Sequence, residues 1–173
     1  AGVHAKGQVA HLDLKKNWDE NDLMKAINFY LKPNLISINS VAKVDNKLHA
    51  RFSALERHYI FRIFIKKSPL ALNKNFFLHL NREMDIKKIT KASKYLIGTH
   101  DFTTFRSSIC QSKSPIKTIN DIRFNLQKKE DGEIIDVELK ARSFLHNQVR
   151  SIIGSLIKVG IGNWEPCKIK KIL

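Results

Sequence analysis

Three places in the sequence hold residue types that suit chemistry on an anionic, aromatic ligand. Arg150 falls in the first turn of a segment, His146 to Val159, whose apolar residues Val149, Ile152, Ile153 and Leu156 recur at helical spacing. The start of a helix already carries positive partial charge, so a cation there calls for an anion beside it. Helical spacing sets Arg150 near Ile153 and Ile157, at the edge of the apolar stripe, which predicts a half-buried guanidinium. Such a group takes a carboxylate or phosphate partner, yet positions 146–154 contain no acid. The anion must come from elsewhere in the fold or from RNA; the alternative is an arginine that snorkels its head into water. Tyr59 stands near the start of an alternating apolar run. A tyrosine there can stack on an extruded base while its hydroxyl reaches a polar atom, or be an ordinary core tyrosine with its hydroxyl satisfied. The opening segment, Ala1-Gly2-Val3-His4-Ala5-Lys6-Gly7-Gln8, has small residues and two glycines that let a backbone pass close to a ligand; a frayed terminus reads the same way.

The elements that must position these residues are legible as periodicities. Val9 to Leu14 reads as a short strand. Trp18 to Leu31 reads as a helix capped by Asn17 or Asp19 and stopped by Pro33, and Ile36 to Val44 as a second strand. In Arg57 to Ile65, Tyr59, Phe61, Ile63 and Ile65 share one face of a strand. Residues 70–84 read as a loop with some short structure. Asp85 to Leu96 is an amphipathic helix closed by Gly98, and Thr99 to Pro115 is polar and loop-like. Ile116 to Lys129 and Glu133 to Ala141 form a β-hairpin around Asp131-Gly132. In its second strand Ile135, Val137, Leu139 and Ala141 face the core and Asp136, Glu138 and Lys140 face outward. The helix from His146 ends at Gly160 and Gly162, and another helix begins after Pro166. This order predicts an α+β fold with a mixed, mainly antiparallel sheet flanked by helices.

Charge narrows the partners. Thirty-one Lys and Arg stand against 16 Asp and Glu, a net charge of +15 in 173 residues. Such a surface attracts polyanions, nucleic acid first among them. No apolar run approaches the ~18–20 residues needed to cross a bilayer, and no basic stretch followed by an apolar block opens the chain, so neither a membrane anchor nor a signal peptide is expected. Cys110 and Cys167 are far apart and read as reduced cytosolic thiols. The seven histidines show no metal-ligand spacing, so no metal is expected.

Five segments together resemble the TruA family of tRNA pseudouridine synthases, in order and across nearly the whole chain. Ala1-Gly2-Val3-His4-Ala5 is similar to the end of the family's first motif, Arg-Thr-Asp-Ala-Gly-Val-His-Ala, without its Arg-Thr-Asp. His49-Ala50-Arg51-Phe52-Ser53-Ala54 matches a second segment. Arg57-His58-Tyr59-Ile60-Phe61 resembles the next motif, with Tyr59 on its active-site tyrosine. Gly98-Thr99-His100-Asp101-Phe102-Thr103-Thr104-Phe105-Arg106 resembles a fourth. Phe144-Leu145-His146-Asn147-Gln148-Val149-Arg150, continuing through Gly154-Ser155-Leu156, resembles the last, with Arg150 on its arginine. Around Pro33-Asn34-Leu35-Ile36 the chain departs from the family, whose members often carry an acid after the proline.

The resemblance implies a pseudouridine-synthase fold of two similar subdomains. Residues 1–69 would carry the remnant of the first motif and Tyr59; residues 70–173 would carry Arg150 and lack a closing segment. It also implies a reaction. The N-glycosidic bond of a uridine at position 38, 39 or 40 of the tRNA anticodon stem-loop is broken, the base is turned, and it is rejoined through C5. No cofactor or metal takes part. The nucleophilic aspartate would directly precede Ala1, and Arg150 would pair with it. Tyr59 would stack on the flipped uracil, and His4, Lys6, Arg51 and Leu145 would join it in holding substrate. A cytoplasmic homodimer binding tRNA is implied as well. The competing reading is a non-catalytic RNA-binding module on the same scaffold. The first acid of the chain is Asp13, outside the opening segment. Residues 1–173 by themselves are therefore expected to release no tritium from C5-labelled tRNA uridine, and turnover above background would refute the alignment of the opening motif.

Overall fold

The structure is a computed structural model that describes residues 3–173. The chain forms two compact units, Ala1–Ala54 and Leu55–Leu173. The subdomain boundary expected from sequence, between 69 and 70, differs from this division.

In the first unit, helix α1 spans Glu20–Leu31. Asp19 caps it, its carboxylate accepting from the backbone N–H groups of Asn21 at 2.9 Å and Asp22 at 3.1 Å. Lys32 leaves the helix with extended backbone, as the residue before Pro33 must. The two strands expected here do not form ladders: residues 9–14 and 36–44 carry no strand. Segment 36–44 instead bonds to side chains of α1. Asn28 acts as a one-residue strand partner, its Nδ2 donating to the Ile38 carbonyl at 3.0 Å and its Oδ1 accepting from the Ile38 N–H at 2.8 Å. Glu20 Oε1 accepts from the Lys43 N–H at 2.9 Å. Apolar alternation marks a face to be covered, but a ladder also requires a neighbouring backbone.

The second unit contains the core. Its strands are β1 (Arg57–Ile65), β2 (Leu78–Leu80), β3 (Gly98–Asp101), β4 (Ile116–Lys129) and β5 (Gly132–Ala141). They form one sheet in the order β2-β1-β5-β4-β3. Only the β1–β2 pair is parallel. Helices α2 (Ile86–Ser93), α3 (Gln148–Gly160) and α4 (Cys167–Ile172) pack into the core with the sheet. Ile63, Ile135, Val137, Leu139 and Ile119 from the strands meet Ile89, Ala92, Ile152, Ile153, Leu156 and Ile169 from the helices. The α+β fold, with a mixed and mainly antiparallel sheet, is the one the sequence predicts.

Three local expectations are corrected. Asp136 lies on the face opposite Ile135 and Val137 but is not solvent-facing. It is only 7% exposed, because Arg62 sits opposite it in the β1–β5 register and closes over it, Nε 3.3 Å from Oδ1. The loop-like stretch 99–115 contains β3 and a 3-10 turn, Thr103–Phe105. Asp101 holds that turn by accepting from the Thr103 N–H at 2.8 Å and hydroxyl at 2.6 Å, which drives Phe102 and Phe105 into full burial. The helix from Asp85 ends earlier than its pattern: α2 passes into a 3-10 turn at Lys94–Leu96, and Gly98 opens β3 instead of closing the helix.

Two glycines sit at close approaches, and at one of them the neighbour is backbone. A Cβ on Gly160 would lie 2.5 Å from Ile89 Cδ1, where α3 meets α2. A Cβ on Gly132 would lie 2.2 Å from the Ile65 carbonyl oxygen and 2.9 Å from Lys66 Cβ, where β5 starts alongside the end of β1. Backbone cannot yield there as a side-chain tip can. Gly132→Ala is expected to destabilise the protein by about 1–3 kcal/mol, the range for overpacking, read as a lower denaturation midpoint; an unchanged midpoint would contradict the register of β1 on β5.

Candidate active site

The β1–β5 ladder places the candidate residues. Arg57 pairs with Ala141 and Tyr59 with Leu139, so β1 begins where β5 ends. Beyond Ala141 the chain runs through residues 142–147 into α3, whose first turn carries Arg150. Tyr59, Leu145 and Arg150 therefore derive from one end of the sheet and the connection that leaves it.

Tyr59 is not a core residue. It is 36% exposed and is held from one side by Phe144, ring centroids 5.1 Å apart and planes at 84°. An edge-to-face contact of this kind fixes a ring while leaving surface available. Leu145, next to Phe144, is buried at 4% exposure. The connection is braced from a second side: the Ser107 N–H donates to the His146 carbonyl at 3.0 Å. Backbone N–H groups of Ser112 and His146 also point at the Cys110 sulfur and lower its thiol below the ordinary value.

Arg150 is exposed, not half-buried as its spacing predicts. The stripe of α3 is filled by Val149, Ile152, Ile153 and Leu156, and Arg150 falls outside it. Among the described residues no carboxylate forms an ion pair with it. The expected placement of Ala1 near Arg150 falls on Ala1 and Gly2, which lie outside the described residues.

The rim of this sheet end carries charged and polar side chains of both signs. Arg57 donates from Nη1 to the Arg142 carbonyl at 2.5 Å. Glu56 accepts from Asn120 Nδ2 at 2.8 Å and contacts His58. The Asn120 bond, then His58, hold the Glu56 carboxyl below its ordinary value. Asn120 reaches it because β4 bulges between Ile119 and Asp121. No adjacency in sequence announces that contact, and none announces the Tyr59–Phe144 pair beyond the membership of Phe144 in the segment that leads to Arg150.

The other candidates belong to the first unit. His4, Lys6 and Arg51 are exposed. Arg51 is presented by a self-closed turn. His49 Nδ1 accepts from the N–H groups of Arg51 at 3.2 Å and Phe52 at 3.4 Å. The Ser53 hydroxyl accepts from the His49 N–H at 2.9 Å, and the His11 ring lies tilted against His49, centroids 4.5 Å apart. The guanidinium of Arg51 lies 5.7 Å from the Phe52 ring centroid.

Among the described residues no group of three or more His, Cys, Asp or Glu is placed to hold a metal, and no helix is long and apolar enough to cross a membrane.

Comparison with known proteins gives the same family as the motifs. A profile of the family described as tRNA pseudouridine synthase matches residues 92–173. Proteins named tRNA pseudouridine synthase A from Dinoroseobacter shibae and Ehrlichia chaffeensis are each 45% identical over the whole chain, which covers 67% and 69% of their lengths. One of the same name from Ruegeria is 45% identical over 99% of the chain and 66% of its own length. The chain thus spans about two thirds of the length of these relatives. At that identity and coverage, the chain belongs to the tRNA pseudouridine synthase family.

Proposed function

We propose that this protein isomerises uridine to pseudouridine in tRNA, at positions 38, 39 and 40 of the anticodon stem-loop, and that the end of the sheet carrying Tyr59 and the first turn of α3 is where the base is held. The observation that carries this reading is the exposed Tyr59 ring, fixed edge-on by Phe144, beside the connection that leads to Arg150, a cation with no acidic partner among the described residues. A flipped base needs an aromatic surface to replace the stacking it loses, and Tyr59 offers one. Arg150 meets the carboxylate of the attacking aspartate, which both orients that acid and keeps it ionised. Breaking the glycosidic bond and rejoining C5 requires a proton to leave C5, and the Tyr59 hydroxyl stands over the base to assist it. The reaction draws on no cofactor or metal.

Affinity for RNA comes from elsewhere. A net charge of +15 supplies phosphate contacts, with His4, Lys6 and Arg51 among them, and such contacts position the strand without reading its bases. Leu145 packs beneath the base. The protein acts as a homodimer in the cytoplasm, with RNA lying across both subunits. On the competing reading, an RNA-binding module without chemistry, substitutions at Tyr59 would alter binding alone.

Tyr59→Phe keeps the ring and removes the hydroxyl. In the protein as encoded it is expected to leave tRNA affinity unchanged and lower turnover on the order of 10²-fold, the scale of a positioned acid–base group. Tyr59→Leu is expected to lose stacking as well, about 1–3 kcal/mol. Filter binding and C5 tritium release measure the two quantities separately; full activity in both variants would remove Tyr59 from the site.

A further inference from the structure

Gln148, the first residue of α3, is fully buried at 0% exposure and is the only residue from the matched segment 144–150 whose amide side chain lies in the core. Its Oε1 accepts the Leu145 N–H at 2.7 Å, while its own backbone N–H donates to the Leu145 carbonyl at 3.1 Å. These two bonds close a ring around the turn Leu145-His146-Asn147, as a capping box does at an ordinary helix start. The turn needs such a clamp. Asn147 sits in the left-handed region at φ 61° and makes no side-chain cap bond of its own, a conformation that a residue with a Cβ adopts at some expense.

The other half of the amide takes no part in the clamp. Gln148 Nε2 is buried and has no hydrogen-bond partner among the described residues. A methionine of similar shape would fill the same volume without the acceptor that holds the Leu145 N–H. What the glutamine adds is one bond, and that bond fixes the residue next to Phe144, whose ring in turn fixes Tyr59.

We infer that Gln148 is the positioning residue of this site: its side-chain carbonyl locks the turn before α3 and so sets the Phe144 ring against Tyr59 and the first turn that carries Arg150. It touches neither substrate nor the reacting atoms. The inference rests on the roles proposed above for Tyr59 and Arg150.

Three variants of the protein as encoded separate the possibilities. Gln148→Met removes the acceptor, Gln148→Asn is one methylene too short to reach the Leu145 N–H, and Gln148→Glu keeps an acceptor in place. Gln148→Met and Gln148→Asn are expected to lower kcat about 10- to 100-fold, the scale of a misplacement of ~1 Å, with KM for tRNA unchanged. Gln148→Glu is expected to retain kcat within about threefold, since the bond that positions the turn survives. Fluorotyrosine placed at position 59 reads the geometry directly: its 19F resonance should move in the Met and Asn variants and stay in the Glu variant. The Asn variant and the resonance keep the test decisive if Gln148→Met does not fold. Equal kcat in all variants, or equal loss in all three, would overturn the inference. Tyr59→Phe assayed alongside keeps the two failures apart. An active Tyr59→Phe sinks the reading of the site; an inactive Tyr59→Phe with a fully active Gln148→Asn sinks only the role of Gln148.

Discussion

The antiparallel register of β1 on β5, with Arg57 opposite Ala141 and Tyr59 opposite Leu139, decides what the rest of the second unit can do. Side chains alternate faces along a strand, so a slip of one residue would exchange Ile63 for Arg62 in the core and turn Tyr59 to the other face. Four features oppose that slip. Ile135, Val137 and Leu139 are fully or almost fully buried on one face. Arg62 meets Asp136 on the other. Gly132 admits the Ile65 carbonyl at a separation no side chain would allow, and Lys66 reaches Asp131 in the turn beside it. With the register held at that end of the sheet, the opposite end is set too, and β1 opens beside the connection to α3.

That opposite end is built differently. Polar bonds join its pieces, Arg57 to the Arg142 carbonyl, Asn120 to Glu56 and Gln148 to the Leu145 N–H, alongside the ring contact of Tyr59 with Phe144. Stability is supplied by the helix-covered core, and the rim is free to hold exposed cations and a half-exposed ring. Arg150 fits this division: it is exposed at the positive end of a helix, its head open to water and with no acid on its own turn.

Sequence patterns foretell the second unit well because its elements are amphipathic and long. The alternation in Arg57–Ile65 and the Asp131-Gly132 turn mark β1, β4 and β5, and the stripe of α3 falls on the residues that are buried. They fail where a neighbour settles the outcome. Val9–Leu14 and Ile36–Val44 have strand-like composition, but a ladder needs a second backbone, and Asn28 and Glu20 take the bonds that one would make along 36–44. Asp136 looks like a surface residue until Arg62, 74 positions away in sequence, covers it. Arg150 looks half-buried because helical spacing gives the angle of a side chain and not the width of the stripe. For the site, the motif around Asp101 buries Phe102 and Phe105, a structural task, while the contacts that orient Tyr59 and the turn before Arg150, made by Phe144 and Gln148, carry no periodic signal.

The most direct test of the site's location is photocrosslinking. A tRNA carrying 5-bromouridine in the anticodon stem-loop, irradiated in complex with the protein as encoded and mapped by mass spectrometry, should form its adduct on Tyr59 or on the adjoining Phe144. An adduct confined to the far end of the sheet, around Asp131 and Lys66, or to the helical side, around Lys94 and Lys170, would contradict the placement of the base at the junction of β1, β5 and α3.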